Sequence, residues 1–260
     1  MILRLSIFLS FALLTRSSIA QYSESELRAI DSLQKIVNGN FHDTLKLDAL
    51  ITWDNIIYQL DPDLDFELNQ QMIEIAERGM NVPNIGASER ELYIRYKGLA
   101  CNNIGLIYNE YGNYKEALTN FQIGLEIAEY FGDSVRLGNA TNNIGMIYMH
   151  MKMPEKAMEY YNRSITFDED DAYSLATYHN NMGLVYVEMK DTAKAIESYL
   201  VSLKYATTSA DYYGKGNTLS NIGLIYTERM QYDTAIYYFT EAISFYEQVD
   251  YKSGIAIAYK

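Results

Sequence analysis

Asn103, Asn143, Asn181 and Asn221 each stand two residues before a glycine, at spacings of 40, 38 and 40 residues. A carboxamide donates and accepts hydrogen bonds at once, as a peptide unit does. A row of them can grip the backbone of an extended chain, or tie neighbouring helices together. The preceding column, Asn102, Asn142, Asn180 and Ser220, adds polar groups beside it. Asparagine is a mediocre helix former, so a column of it inside a helical pattern needs one of those two reasons. The residues alone leave that choice open.

The rest of the inventory offers little chemistry. His42, His150 and His179 show no metal-ligand spacing. There is no G-x-S-x-G, no phosphate-cradling glycine loop and no DxDxDG calcium loop. The acidic run Asp168-Glu169-Asp170-Asp171 reads as a solvated, helix-capping loop, because calcium loops need a different ligand spacing. Cys101, the single cysteine, lies in an apolar pattern and reads as a buried small side chain. Two glycosylation sequons, at Asn139 and Asn162, fall inside predicted helices. No catalytic role, metal or cofactor is expected. A net charge of -13 and a pI near 4.7 argue against nucleic acid as a partner, since phosphates must be neutralised by Lys and Arg.

The asparagines belong to a repeated heptapeptide: NNIGLIY at 102–108, NNIGMIY at 142–148, NNMGLVY at 180–186 and SNIGLIY at 220–226. Its glycines are Gly105, Gly145, Gly183 and Gly223. Three residues after each comes Tyr108, Tyr148, Tyr186 or Tyr226; twelve after, Ala117, Ala157, Ala195 or Ala235; sixteen after, Phe121, Tyr161, Tyr199 or Phe239; nineteen after, Gly124, Ser164, Ser202 or Ala242. Self-similarity at such a period decides the fold class before any local reading.

These columns resemble the tetratricopeptide repeat, W-x2-L-G-x2-Y…A-x3-F…P. The resemblance implies an all-α, right-handed superhelical solenoid of antiparallel helix pairs. Glycine and alanine would sit where the two backbones cross, the aromatics in the wedge beside them, and the last small residue against the next unit. This sequence departs from the pattern in the tryptophan column, which holds Cys101, Thr141, His179 and Leu219, and in lacking the closing proline. The period of about 40 predicts longer helices than the 34-residue form has. Longer repeats of this kind resemble those of kinesin light chain, GoLoco-type adaptors and bacterial peptide-pheromone receptors. In the first two, asparagines in this register line the inner groove and hold peptide backbone. The carboxylate clamp of chaperone-binding members is not matched, because the column after the glycine is Leu106, Met146, Leu184 and Leu224. An apolar stripe with Glu110, Glu188 and Glu228 further along suits a peptide with apolar side chains and some positive charge.

Turn residues place the helices. Gly112-Asn113 and Met153-Pro154 separate the helices of two units, and Asp191 and Asp233 stand where N-caps are needed. The predicted units span approximately 88–130, 131–168, 170–208 and 209–248. A degenerate unit precedes them at 41–80, and a capping helix lies within 21–40, with Ser23 and Glu26 as a capping box and Gly39 as its stop. Residues 251–260 open a further unit. Residues 1–20 read as a secretory leader, with Arg4, an apolar run from Leu5 to Leu14 and Ser18-Ile19-Ala20 at the cleavage site. The expected protein is an exported, periplasmic or extracytoplasmic scaffold without membrane contact in its mature part. It binds an extended peptide or protein segment in its concave groove. The alternative is the sensing part of a bacterial signalling protein, a histidine kinase, cyclase or transcriptional regulator, whose output lies beyond residue 260.

Overall fold

A computed structural model describes residues 22–58 and 60–258; the leader read in residues 1–20 lies outside them, as do Tyr259 and Lys260. The described residues form twelve α-helices: α1 Glu24–Asn38, α2 Asp43–Ile57, α3 Pro62–Met80, α4 Ala87–Glu110, α5 Tyr114–Phe131, α6 Ser134–His150, α7 Pro154–Ile165, α8 Ala172–Glu188, α9 Thr192–Thr208, α10 Tyr212–Glu228, α11 Tyr232–Gln248 and α12 Lys252–Ala258. They divide into two compact units, residues 1–127 and 128–260, with the boundary inside α5.

Capping sets the helix starts. Ser23 and Glu26 form a reciprocal capping box on α1. Asp133, Asp171 and Asp211 stand twelve residues before Gly145, Gly183 and Gly223, and each accepts a backbone N–H at the start of α6, α8 or α10. Such caps contribute about 1 kcal/mol each. Asp191 caps α9 in the same way. Asp233 does not cap α11: the cap position is Gln231, and Asp233 lies in the first turn. The cap falls eight residues after the repeat glycine in every unit (Asn113, Met153, Asp191, Gln231), and Asp233 is two residues too late. One residue before that position the backbone is left-handed, at Gly112, Lys152, Lys190 and Met230.

In the N-terminal unit, α1 packs on α2, α2 on α3 and α3 on α4. Their core holds Leu47, Leu50, Trp53, Ile57, Met72 and Tyr93. In the C-terminal unit each helix packs on the next from α6 to α12, and α6, α8, α10 and α12 also meet in sequence. The first helices of successive repeats therefore share one layer. The core there comes in small portions, Ala157 and Tyr161 with Met182 and Val185, then Ala195 and Tyr199 with Ile222 and Ile225. One helix pair cannot bury its own apolar face, and stacking completes it.

The repeat glycines answer a ring rather than a backbone. A Cβ on Gly105 would lie 2.6 Å from Phe121, on Gly145 2.7 Å from Tyr161 and on Gly223 2.9 Å from Phe239, and one on Gly183 would collide with Tyr199. In each pair the aromatic sixteen residues later rests on its own unit's glycine, so a ring is what an added side chain would meet first. The small residue at nineteen also serves its own unit first. Gly124 lies 3.7 Å (from an added Cβ) from the Gly98 carbonyl, and Ser202 donates to the Ala176 carbonyl at 2.8 Å. Its neighbours Gly98, Gly138, Ala176 and Gly216, seven residues before the repeat glycine, form a further small-residue column. The repeated tyrosine three after the glycine meets its own unit's second helix: Tyr148 against Tyr160, Tyr226 stacked on Tyr238, and Tyr186 beneath the Lys194 ammonium.

Candidate functional site

The two columns lie on the first helices, their asparagines half-buried and Ser220 buried. In the C-terminal unit they bond from repeat to repeat. Asn181 on α8 donates its amide N–H to Asn142 Oδ1 on α6 at 2.9 Å, and Asn221 on α10 donates to Asn180 Oδ1 on α8 at 3.0 Å. Thr218 adds a second donor to Asn180 Oδ1 at 3.2 Å. The column two before the glycine thus donates to the column three before it in the preceding repeat. Asn102 and Asn143 also have interaction partners. In these pairs the amides tie neighbouring first helices together, and a carboxamide bonded through one N–H still has a second N–H.

Asn103, in the N-terminal unit, has a different task. It donates to Asp54 Oδ2 on α2 at 3.0 Å. Asp54 is 2% exposed and belongs to a buried cluster with Asp65 and Asn69 on α3. Asn69 Nδ2 donates to Asp54 Oδ1 at 2.5 Å and to Asp65 Oδ1 at 2.6 Å. Burial, followed by the hydrogen bond and charge of Asp54, pushes the Asp65 carboxyl up to about 8, so this pair shares a proton at neutral pH. No local pattern marks the cluster in the sequence, because its members, with Asn103, come from three helices.

A cleft of about 240 Å³ opens between α8 and α10. Asn180, Asn181 and Thr177 line it from α8, Asn217, Thr218 and Gly214 from α10, with Tyr173, Tyr213 and Asp211 at the helix starts. Ser202, Ala176 and Thr218 make its floor, joined by the Ser202 bonds to the Ala176 carbonyl and to Thr218 Oγ1 at 3.1 Å. Further along the same helices Leu184 and Leu224, the residues after the glycines, are exposed.

The acidic run before α8 is only partly solvated. Asp171 caps α8, and its hydrogen bonds, that of the Ser174 hydroxyl foremost, hold its carboxyl below the usual range. Asp168 is buried, accepts from the Tyr178 hydroxyl and lies against Gly138, where a Cβ would collide with it. Burial raises its pKa. It stands in the column that holds buried Ala128 and Ala206 in other repeats, which is why the fold takes it inside. Cys101 is buried, and desolvation pushes its thiol up to about 11, leaving it a poor nucleophile. His179 stacks on Tyr205, and burial lowers its pKa. Among the described residues no group of three or more His, Cys, Asp or Glu is placed to hold a metal ion, and no helix is long and apolar enough to cross a membrane.

The model of the tetratricopeptide repeat matches residues 99–170 and 173–248, more than half of the chain. The chain belongs to the tetratricopeptide repeat family. No curated protein sequence matches it. Among solved structures it is similar to BtubC (BKLC) from P. vanneervenii, at 15% identity and a TM-score of 0.65, over 87% of this chain and 90% of that one. It is also similar to aspartyl phosphate phosphatase F from Bacillus subtilis, at 13% identity and a TM-score of 0.63, over 90% and 66%. The apo form of RapI matches at 15% identity and a TM-score of 0.57, over 94% and 66%. At these identities the likeness concerns the fold, an all-α tetratricopeptide solenoid. The repeats point to a scaffold for protein–protein interaction, with a protein or peptide as the class of partner.

Proposed function

We propose that the chain is an exported tetratricopeptide module that binds an extended peptide or protein segment along the first-helix layer of its C-terminal unit. The observation that carries this reading is the cleft between α8 and α10, lined by Asn180 and Asn181 of the repeated columns. Carboxamides spaced along that layer match the alternating donors and acceptors of an extended backbone. Export rests on the leader-like residues 1–20. The first amino acid of the secreted protein, Gln21 by this reading, is read by N-terminal sequencing; a mature chain still carrying residues 1–20 overturns it.

The binding test uses a degenerate nonapeptide library passed over the immobilised protein. Wild type should retain a fraction that Asn181→Ala loses. The same substitution removes the bond to Asn142, so a stability loss of about 0.5–1.5 kcal/mol accompanies it. Equal retention by both proteins would sink the groove reading.

A further inference from the structure

We infer that the cleft between α8 and α10 contains a subsite for one basic side chain of the bound segment, with Asp211 as counter-charge and Tyr173 and Tyr213 as its aromatic walls. This rests on the reading of the groove as a peptide site and names the chemistry of one position in it.

The cleft has one charged lining residue, Asp211, and no lysine, arginine or histidine among the eleven that line it. Tyr173 and Tyr213 are large rings left 57% and 45% exposed at the same place. Tyr213 is braced edge-on by Tyr251 at 5.0 Å between centroids, so its ring orientation is supported from behind. Burial and then the Asp211 and Tyr213 charges raise the Tyr173 phenol, which places these three groups within electrostatic reach of one another. The nearest lysine on α10, Lys215, is engaged elsewhere, over the rings of Tyr212 and Phe245. Among the described residues, no cation in the cleft lining therefore neutralises Asp211.

Two tyrosine rings and a carboxylate around a space of about 240 Å³ suit a guanidinium or ammonium. The ring faces attract the cation, by about 0.5–1 kcal/mol at exposed sites and more when desolvated. Asp211 has one oxygen on the Gly214 amide at 2.9 Å, and a carboxylate has further lone pairs for a planar donor pair. The neighbouring amides Asn180, Asn181 and Asn217 then face the backbone on either side. An acidic side chain in this place would meet Asp211 with like charge, so the subsite also discriminates.

The test compares two nonapeptide libraries, one with a fixed central arginine and one with citrulline, its uncharged isostere, on wild type and on Asp211→Asn. Asparagine caps a helix as well as aspartate does, so α10 keeps its start and the melting temperature should not move. Wild type should retain the arginine library at least several-fold better than the citrulline one, and Asp211→Asn should bring the two to equal retention. Tyr173→Leu should cut the preference in part. If arginine and citrulline bind wild type equally while Asn181→Ala still loses both, the basic subsite is wrong and the groove stands. A preference for arginine that survives Asp211→Asn would come from the net charge of the chain and also overturns the subsite. If neither library is retained, the groove reading falls and the subsite with it.

Discussion

Gly145→Ala tests the packing on which every repeat relies. In an exposed helix interior this change stabilises, because alanine is favoured over glycine by about 1 kcal/mol. At Gly145 the new methyl carbon would lie 2.7 Å from Tyr161 Cε1, 2.9 Å from Cδ1 and 3.1 Å from Cζ. Ordinary contacts begin near 3.5 Å. Tyr161 is 2% exposed and packed with Ala157, Met182 and Val185, so its ring cannot swing out to solvent. The strain of adding a methylene to a well-packed core is typically about 1–3 kcal/mol, which outweighs the propensity gain. The expected net effect is a loss of up to about 2 kcal/mol, read as a lower urea midpoint at constant slope by circular dichroism. The paired variant Gly145→Ala with Tyr161→Leu should lose less than the sum of the two single changes, since the smaller side chain relieves the clash. A Gly145→Ala protein more stable than wild type would refute the ring-on-glycine account.

Two further outcomes follow from named residues. Met230 holds φ +56° in the turn between α10 and α11 and is 76% exposed, so Met230→Gly removes backbone strain without removing packing. It should raise stability by up to about 1 kcal/mol, less whatever entropy the more flexible unfolded glycine regains; a lower melting temperature would contradict this. The Asp54–Asp65 pair makes the N-terminal unit sensitive to alkali. The folded Asp65 carboxyl is raised to about 8 from 3.8, so its stabilisation is fully present below pH 4 and declines as pH rises through 8. The slope is bounded by about 1.4 kcal/mol per pH unit and is smaller with solvent screening. Asp65→Asn, which keeps a hydrogen-bond donor toward Asp54 without a titrating group, should flatten urea midpoints between pH 5 and 8, and an unchanged slope in that variant would count against the shared proton.

The sequence by itself determined the repeat, its register and most of its helix starts; Asp233, two residues past the cap position Gln231, is the exception. Glycine, tyrosine, alanine and aromatic columns recur because each repeat meets the same neighbours, so one environment is written four times. The caps at Asp133, Asp171 and Asp211 were equally legible at a fixed distance from the glycine, once that column is aligned. Only the tertiary structure decided which groups meet. Asp168 sits in a run of four acids that looks solvated, and what buries it is Gly138 and the Tyr178 hydroxyl on two other helices. Asn103 shares a column with Asn181 and Asn221, yet the Asp54 carboxylate, 49 residues earlier, takes it as a donor. A column records the local backbone and the shared neighbours. A hydrogen bond or a cleft depends on partners brought from distant helices, and only the packing supplies those.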